Sequence, residues 1–298
     1  MQLNHISGQT YVINGSTQIG AYYFADQTCL LIDSGPAKEA GQVRQIIEEQ
    51  GGRVSAIINT HSHADHCGGN REIQLYHKSL VYASELSAPL IQHPILQAVA
   101  LFSASPPQIL HNKYIMPPAS KVDFVISPGP LTINGEIFRI IALEGHAIGH
   151  IGIETPDEVL FAGDSLLPLS ALEEFPFLYL YDAASQMETL DFLKRKKHRK
   201  LYLSHGGHYD NLDKIIEANQ ATLENILQLI TVFAADARTR EEIAAFLIKE
   251  LRLPFNQSQY YLLQSSISAC LSYLSSTKSI RSFAADNVIK FQARRQAE

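Results

Sequence analysis

His61-Ser62-His63-Ala64-Asp65-His66 lies between an apolar run at residues 54–59 and the pair Gly68-Gly69. Imidazole and carboxylate donors together suit borderline divalent ions such as zinc. In an extended segment, side chains two residues apart share a face. His61, His63 and Asp65 are therefore expected to converge, while His66 turns toward a second position as the backbone bends. The stretch predicts two neighbouring metal ions. The alternative is a histidine-rich surface loop, which has no chemical need for further donors elsewhere in the chain.

Further donors are present. Leu143-Glu144-Gly145-His146-Ala147-Ile148-Gly149-His150, Phe161-Ala162-Gly163-Asp164-Ser165 and Leu203-Ser204-His205-Gly206-Gly207-His208 each follow or contain a short apolar run. Each sets a His or Asp beside glycine, so the polar group belongs at a strand end where glycine relieves backbone crowding.

Together these segments resemble the five metal motifs of the metallo-β-lactamase superfamily, in the family's order, across most of residues 1–210. The resemblance implies that His61, His63 and His146 bind one metal and that Asp65, His66 and His205 bind the other. Asp164 would bridge the two. It also implies the family's αββα sandwich; the residues alone give mixed α and β, an α+β class. Leu30-Leu31-Ile32-Asp33-Ser34-Gly35 resembles the family's strand-turn, whose Asp supports metal-binding imidazoles through their other ring nitrogen. The competing reading of Asp33 is a turn-forming Asp ahead of Gly.

The departures from the family pattern narrow the function. Many members carry Thr-Pro-Gly before the third-motif His, where this chain has Leu143-Glu144-Gly145. Position 62 is Ser, where the glyoxalase II branch has a third consecutive His, and nothing near the C-terminus matches that branch's glutathione-binding basic residues. A hydroxyacylglutathione hydrolase is therefore disfavoured. Cys67 follows His66 directly, but the resemblance fills the coordination sites without it, so a small buried thiol is the preferred reading.

The chain has 298 residues, 46% hydrophobic and 18% charged, enough for a large core and more than one domain. No apolar stretch is long enough to cross a bilayer, and the first fifteen residues lack a basic start followed by an apolar block. With only Cys29, Cys67 and Cys270, a disulfide framework is not expected. The expected location is cytoplasmic, with no membrane partner; without a secretory signal, true β-lactamase activity is disfavoured. A net charge of −6 disfavours general nucleic-acid binding. The basic run Lys194-Arg195-Lys196-Lys197-His198-Arg199-Lys200 argues the other way, but cations are also favoured at a helix C-terminus.

Strands are expected at 11–13, 29–32, 54–59, 138–142, 159–162 and 201–203, with helices at 37–50 and 186–197. Residues 86–130 hold eight of the 13 prolines and should form an insertion of short helices and fixed loops. Its apolar stretch at 95–102 needs a partner surface, either as a lid that shapes a substrate pocket or as the contact of a homodimer. His93, His111 and Tyr114 lie within reach of such a pocket, with surface roles preferred. Residues 1–212 read as the catalytic domain. Residues 213–298 read as a C-terminal module with helices at 213–233, 242–251 and 258–274 and a hairpin at 279–291, an order that resembles a winged helix.

The favoured function is a Zn2+-dependent binuclear hydrolase, with iron or manganese as alternative metals. A hydroxide bridging the two ions would cleave an ester, thioester, lactone or similar bond of a small molecule. Asp65 and Asp164 would orient it and accept its proton, and His150 and His208 would donate hydrogen bonds around the site or to substrate. The alternatives are an endoribonuclease and a non-hydrolytic member with a single iron, such as a sulfur dioxygenase.

Overall fold

The structure is a computed structural model and describes residues 1–177, 179–196, 200–209 and 212–294. Strands β1 (Gln2–Ser7), β2 (Thr10–Asn14), β3 (Gln18–Tyr23) and β4 (Thr28–Ile32) form an antiparallel meander. A short 3-10 turn and helix α1 (Ala40–Glu49) lead to β5 (Arg53–Ile58), which pairs parallel to β4. Helices α2 (Ala64–Cys67) and α3 (Asn70–His77) precede β6 (Leu80–Ser84). After α4 (Ser87–Gln92) and α5 (Ile95–Phe102), β7 (Phe124–Ile126) closes a seven-stranded sheet in the order β1 to β7.

The second sheet has six strands in the order β13-β12-β11-β10-β9-β8. They are β8 (Gly129–Ile133), β9 (Glu136–Ala142), β10 (Ile151–Glu154), β11 (Val159–Phe161), β12 (Lys200–Leu203) and β13 (Gly207–His208). Helices α6 (Leu169–Glu174) and α7 (Ala183–Arg195) connect β11 to its parallel neighbour β12. The chain ends with α8 (Leu212–Phe233), α9 (Arg240–Glu250), α10 (Gln257–Ser276) and the hairpin β14 (Ile280–Ala285) and β15 (Val288–Ala293).

Burial follows from alternation. All five residues of β4 are buried, because the strand is covered on both faces. Leu30 and Ile32 face the second sheet and pack with Phe138, Ile140, Ile153 and Phe161, while Cys29 and Leu31 face α1 and pack with Val43 and Ile47. On the far side, Leu160 of β11 and Leu201 of β12 pack under Leu190 and Leu193 of α7 and Ile215 and Ile216 of α8. The layers therefore run helix, sheet, sheet, helix.

Several expectations change. The second helix expected at 186–197 starts at Ala183, because the Asp182 carboxylate caps it by accepting from the backbone N–H groups of Ala184 and Ser185. Lys197, His198 and Arg199 of the basic run lie outside the described residues. The insertion does contain short helices, but its end supplies β7 to one sheet and the start of β8 to the other. Pro130 is tolerated in β8 because that strand forms the sheet edge. The apolar stretch at 95–102 finds a partner inside the chain: Phe102 meets Tyr261 of α10 edge to face, and Ala98, Leu110 and Tyr261 share one cluster. No helix among the described residues is long and apolar enough to cross a membrane.

Candidate metal centre

The strand ends deliver the polar residues to one edge of the sandwich. After β5 the chain stays extended through His63, whose backbone is at φ −68 and ψ 152, and turns helical at Ala64. Here the structure departs from the extended reading: the turn swings Asp65 away from His61 and His63. His61, His63 and His146 form one group, and Asp65, His66, Asp164 and His205 form a second. Within each group the donor atoms lie within 4.8 Å of one another.

Asp164 lies between the groups. Its Oδ2 is 3.6 Å from His146 Nε2, 3.3 Å from His66 Nε2 and 3.5 Å from His205 Nε2. Asp65 Oδ2 is 3.1 Å from His205 Nε2. Three atoms aimed into this space, His61 Nε2, His66 Nε2 and Asp164 Oδ1, are buried without a hydrogen-bond partner. Buried polar atoms are rarely orphaned, because each carries a desolvation cost. Imidazole nitrogens and carboxylate oxygens gathered in this way fit a divalent cation.

The outer nitrogens are held from behind. His66 Nδ1 donates to Asp33 Oδ2 at 2.8 Å, and the same carboxylate accepts from the Thr60 N–H and hydroxyl, each at 2.8 Å. Asp33 is 1% exposed, so this is an interior support, and its φ of 62 also makes the turn into Ser34 and Gly35. Both readings of Asp33 thus describe the same residue. His61 Nδ1 lies 3.0 Å from the Thr60 hydroxyl, leaving Nε2 toward the group. Gly68 permits close packing beneath α2, since a Cβ there would come within 2.3 Å of Ala64 O and 2.7 Å of Ala37 N.

The two groups differ electrostatically. Burial lowers the pKa of His61, His63 and His146, so these rings are neutral and their lone pairs are available. Burial also opposes charge on His66 and His205, but the surrounding carboxylates, Asp164 foremost with Asp65, together outweigh it: His66 is held well above the ordinary range and His205 is pushed up to about 10. In Asp65 and Asp164 burial favours the neutral acid, and the neighbouring His66 and His205 together outweigh it, so both are held below the usual carboxylate range.

Other candidates sort themselves. His150 is buried and its Nε2 accepts from the Asp164 backbone N–H at 3.1 Å, which leaves its proton on Nδ1 and supports the Asp164 turn. Gly163, at φ 56, allows the approach, because a Cβ there would lie 2.5 Å from His150 Nε2. His208 stacks on Tyr202. Cys67 is buried, its thiol directed at Ser62 O, and burial pushes its pKa up. His93 ends α4 and His111 pairs with Pro106 O. Tyr114, 78% exposed, lines a cleft of about 410 Å³ with Lys38, Lys113, Asp65 and His205.

Tyr179 had no signal in the sequence. Its ring meets His63 and His146 edge to face, at 5.2 and 5.8 Å between centroids, and burial raises its pKa. Only the fold brings Tyr179 against the histidines.

Comparison with known proteins fits this geometry. The family model for the metallo-beta-lactamase superfamily matches residues 16–205. A hydroxyacylglutathione hydrolase of Cereibacter sphaeroides is 29% identical over 133 residues, 44% of this chain and 41% of that protein. One of Nitrobacter hamburgensis is 26% identical over 196 residues, covering 63% of each. The chain thus spans 41% and 63% of the length of these two curated relatives, less than two thirds of either. A metallo-beta-lactamase family protein from Thermus thermophilus shares the fold with a TM-score of 0.72 at 19% identity, over 98% of this chain and 97% of that one. A beta-lactamase domain protein from Burkholderia ambifaria does so with a TM-score of 0.76 at 17% identity, over 98% and 93%. With the family model matching residues 16–205, well over half of its length, the chain belongs to the metallo-beta-lactamase superfamily.

Proposed function

We propose that the chain is a binuclear metal-dependent hydrolase that cleaves an ester, thioester, lactone or similar bond of a small molecule. His61, His63 and His146 would hold one ion and Asp65, His66 and His205 the other, with Asp164 shared; Zn2+ is the favoured metal and iron or manganese the alternatives. Bound there, divalent ions supply Lewis acidity and lower the pKa of water toward neutrality. The observation that carries this reading is the position of Asp164 Oδ2, within 3.6 Å of ring nitrogens from both groups, beside three buried donors without partners.

The residues divide the remaining work. Asp65 is half-buried at the edge of the cleft, where its ionised Oδ2 can orient the attacking water and accept its proton. Asp164 is fixed through its backbone by His150 and keeps its carboxylate between the two groups. Tyr179 covers His63 and His146 and keeps bulk water from that side. The relatives' printed name, hydroxyacylglutathione hydrolase, supports acyl-bond cleavage. Ser62 argues against the glutathione thioester itself. The C-terminal helices and hairpin fit a winged-helix-like module, which here braces the insertion through Tyr261.

A panel of activated esters, thioesters and lactones tests the proposal. Turnover should vanish on chelation and return with zinc. Asp65→Asn should lose about 10²- to 10⁴-fold in kcat/KM while keeping its melting temperature within a few degrees. Turnover indifferent to chelator would contradict the proposal.

A further inference from the structure

A second opening touches the donor groups at His146 and Asp164, whereas the Lys38 and Lys113 cleft touches them at Asp65 and His205. A cavity of about 40 Å³ begins at His146 and Asp164 and runs into the seam between α7 and α8, where Phe177, Leu180, Leu223 and Ile226 line it. Its polar wall residues are turned to the backbone. Asn219 Oδ1 accepts from Leu167 N–H and its Nδ2 donates to the carbonyls of Leu167 and Ile215. Thr222 donates to Ala218 O, and Gln186 Nε2 donates to Ser165 O. Gln186 Oε1 has no partner and lies against Gly145, where an added Cβ would be 2.5 Å from it. A polar ligand would find its hydrogen bonds already taken along most of this wall; an apolar one loses nothing by entering.

The size sets a limit. A water-sized group needs roughly 10–15 Å³ of such space, so the cavity holds about three groups in a row. It opens beside His146 and Asp164, and Tyr179 both lines it and meets the His63 ring edge to face.

We propose that this cavity is the acyl pocket, and that the substrate is an ester or thioester of a short apolar acid of about three to five carbons. The inference rests on the hydrolase reading above and adds the identity of the acyl side. In the reaction the oxygen of water bonds to the acyl carbon and the C–O or C–S bond breaks. The departing alkoxide or thiolate takes up the proton that water gave to Asp65, so a carboxylic acid and an alcohol or thiol leave.

The test is kcat/KM of the metal-loaded full chain on p-nitrophenyl acetate, propanoate, butanoate, hexanoate and decanoate. The rate should rise by about tenfold from acetate to butanoate, as expected for two buried methylenes, and fall again by decanoate. Ile226→Ala should move the optimum to hexanoate, and Ile226→Phe should bring the butanoate-to-acetate ratio down toward one. The wild-type profile needs no variant to fold, and a higher melting temperature with butanoate than with decanoate provides a readout independent of turnover. A flat profile, or one rising through decanoate, would overturn the acyl pocket and leave the hydrolase reading standing. No turnover of any ester or thioester, with zinc bound, would overturn both.

Discussion

One backbone conformation lets Asp33 turn the chain and aim its carboxylate at His66. Asp33→Ala removes the acceptor that fixes the His66 ring, and zinc affinity should fall by about 10- to 100-fold. Competition with a chromophoric chelator measures this, with circular dichroism confirming the fold. The donor residues were legible in the sequence because four of them crowd into residues 61–66, while His146, Asp164 and His205 each sit beside glycine at a strand end, as with Asp164 after Gly163. The direction of Asp65 was not legible, since it depends on the helical turn at Ala64. Tyr179 was not legible either, because an isolated tyrosine in a loop has no local pattern.

At the scale of elements, β9 anchors the interior between the sheets. Phe138 is fully buried and meets Tyr22 and Phe24 edge to face at 5.1 and 6.2 Å. Phe138→Ala should cost about 3–5 kcal/mol, read as a lower denaturant midpoint. The start of α9 carries a capping box: the Thr239 hydroxyl accepts from Glu242 N–H, and Glu242 Oε2 accepts from Thr239 N–H at 2.7 Å. That backbone hydrogen bond holds the Glu242 carboxyl below its ordinary value. Its contribution is therefore present above the unfolded carboxyl's pKa of about 4.3 and lost as pH falls through the folded value. The melting-temperature gap between wild type and Glu242→Gln should be open at neutral pH and closed in strong acid. Thr239 and Glu242 announced this helix in the sequence, and short apolar runs announced β4 and β5. Strand β3 was hidden by Gly20 amid its apolar residues, and β7 and β8 by the prolines around them, which are compatible with a strand only at an edge.

Across the whole molecule, α8 joins the two halves. Ile215 and Ile216 complete the outer layer over β11 and β12, while Leu223, Ile226 and Ile230 face a second core shared with α9, α10 and Ile280 of β14. The same helix walls the cavity behind His146, so the C-terminal region shapes the site and does not merely follow it. Layer order was legible from alternating strands and helices together with the motifs. The packing of α5 on α10 was not, because a contact between residues 102 and 261 leaves no local pattern. The proposed chemistry depends on two metal ions held by seven residues. Metal analysis of protein purified without chelator tests this dependence at its source. The prediction is about two zinc ions per chain, reduced to one or fewer in His61→Ala; a single iron per chain, or wild-type metal content in His61→Ala, would contradict it.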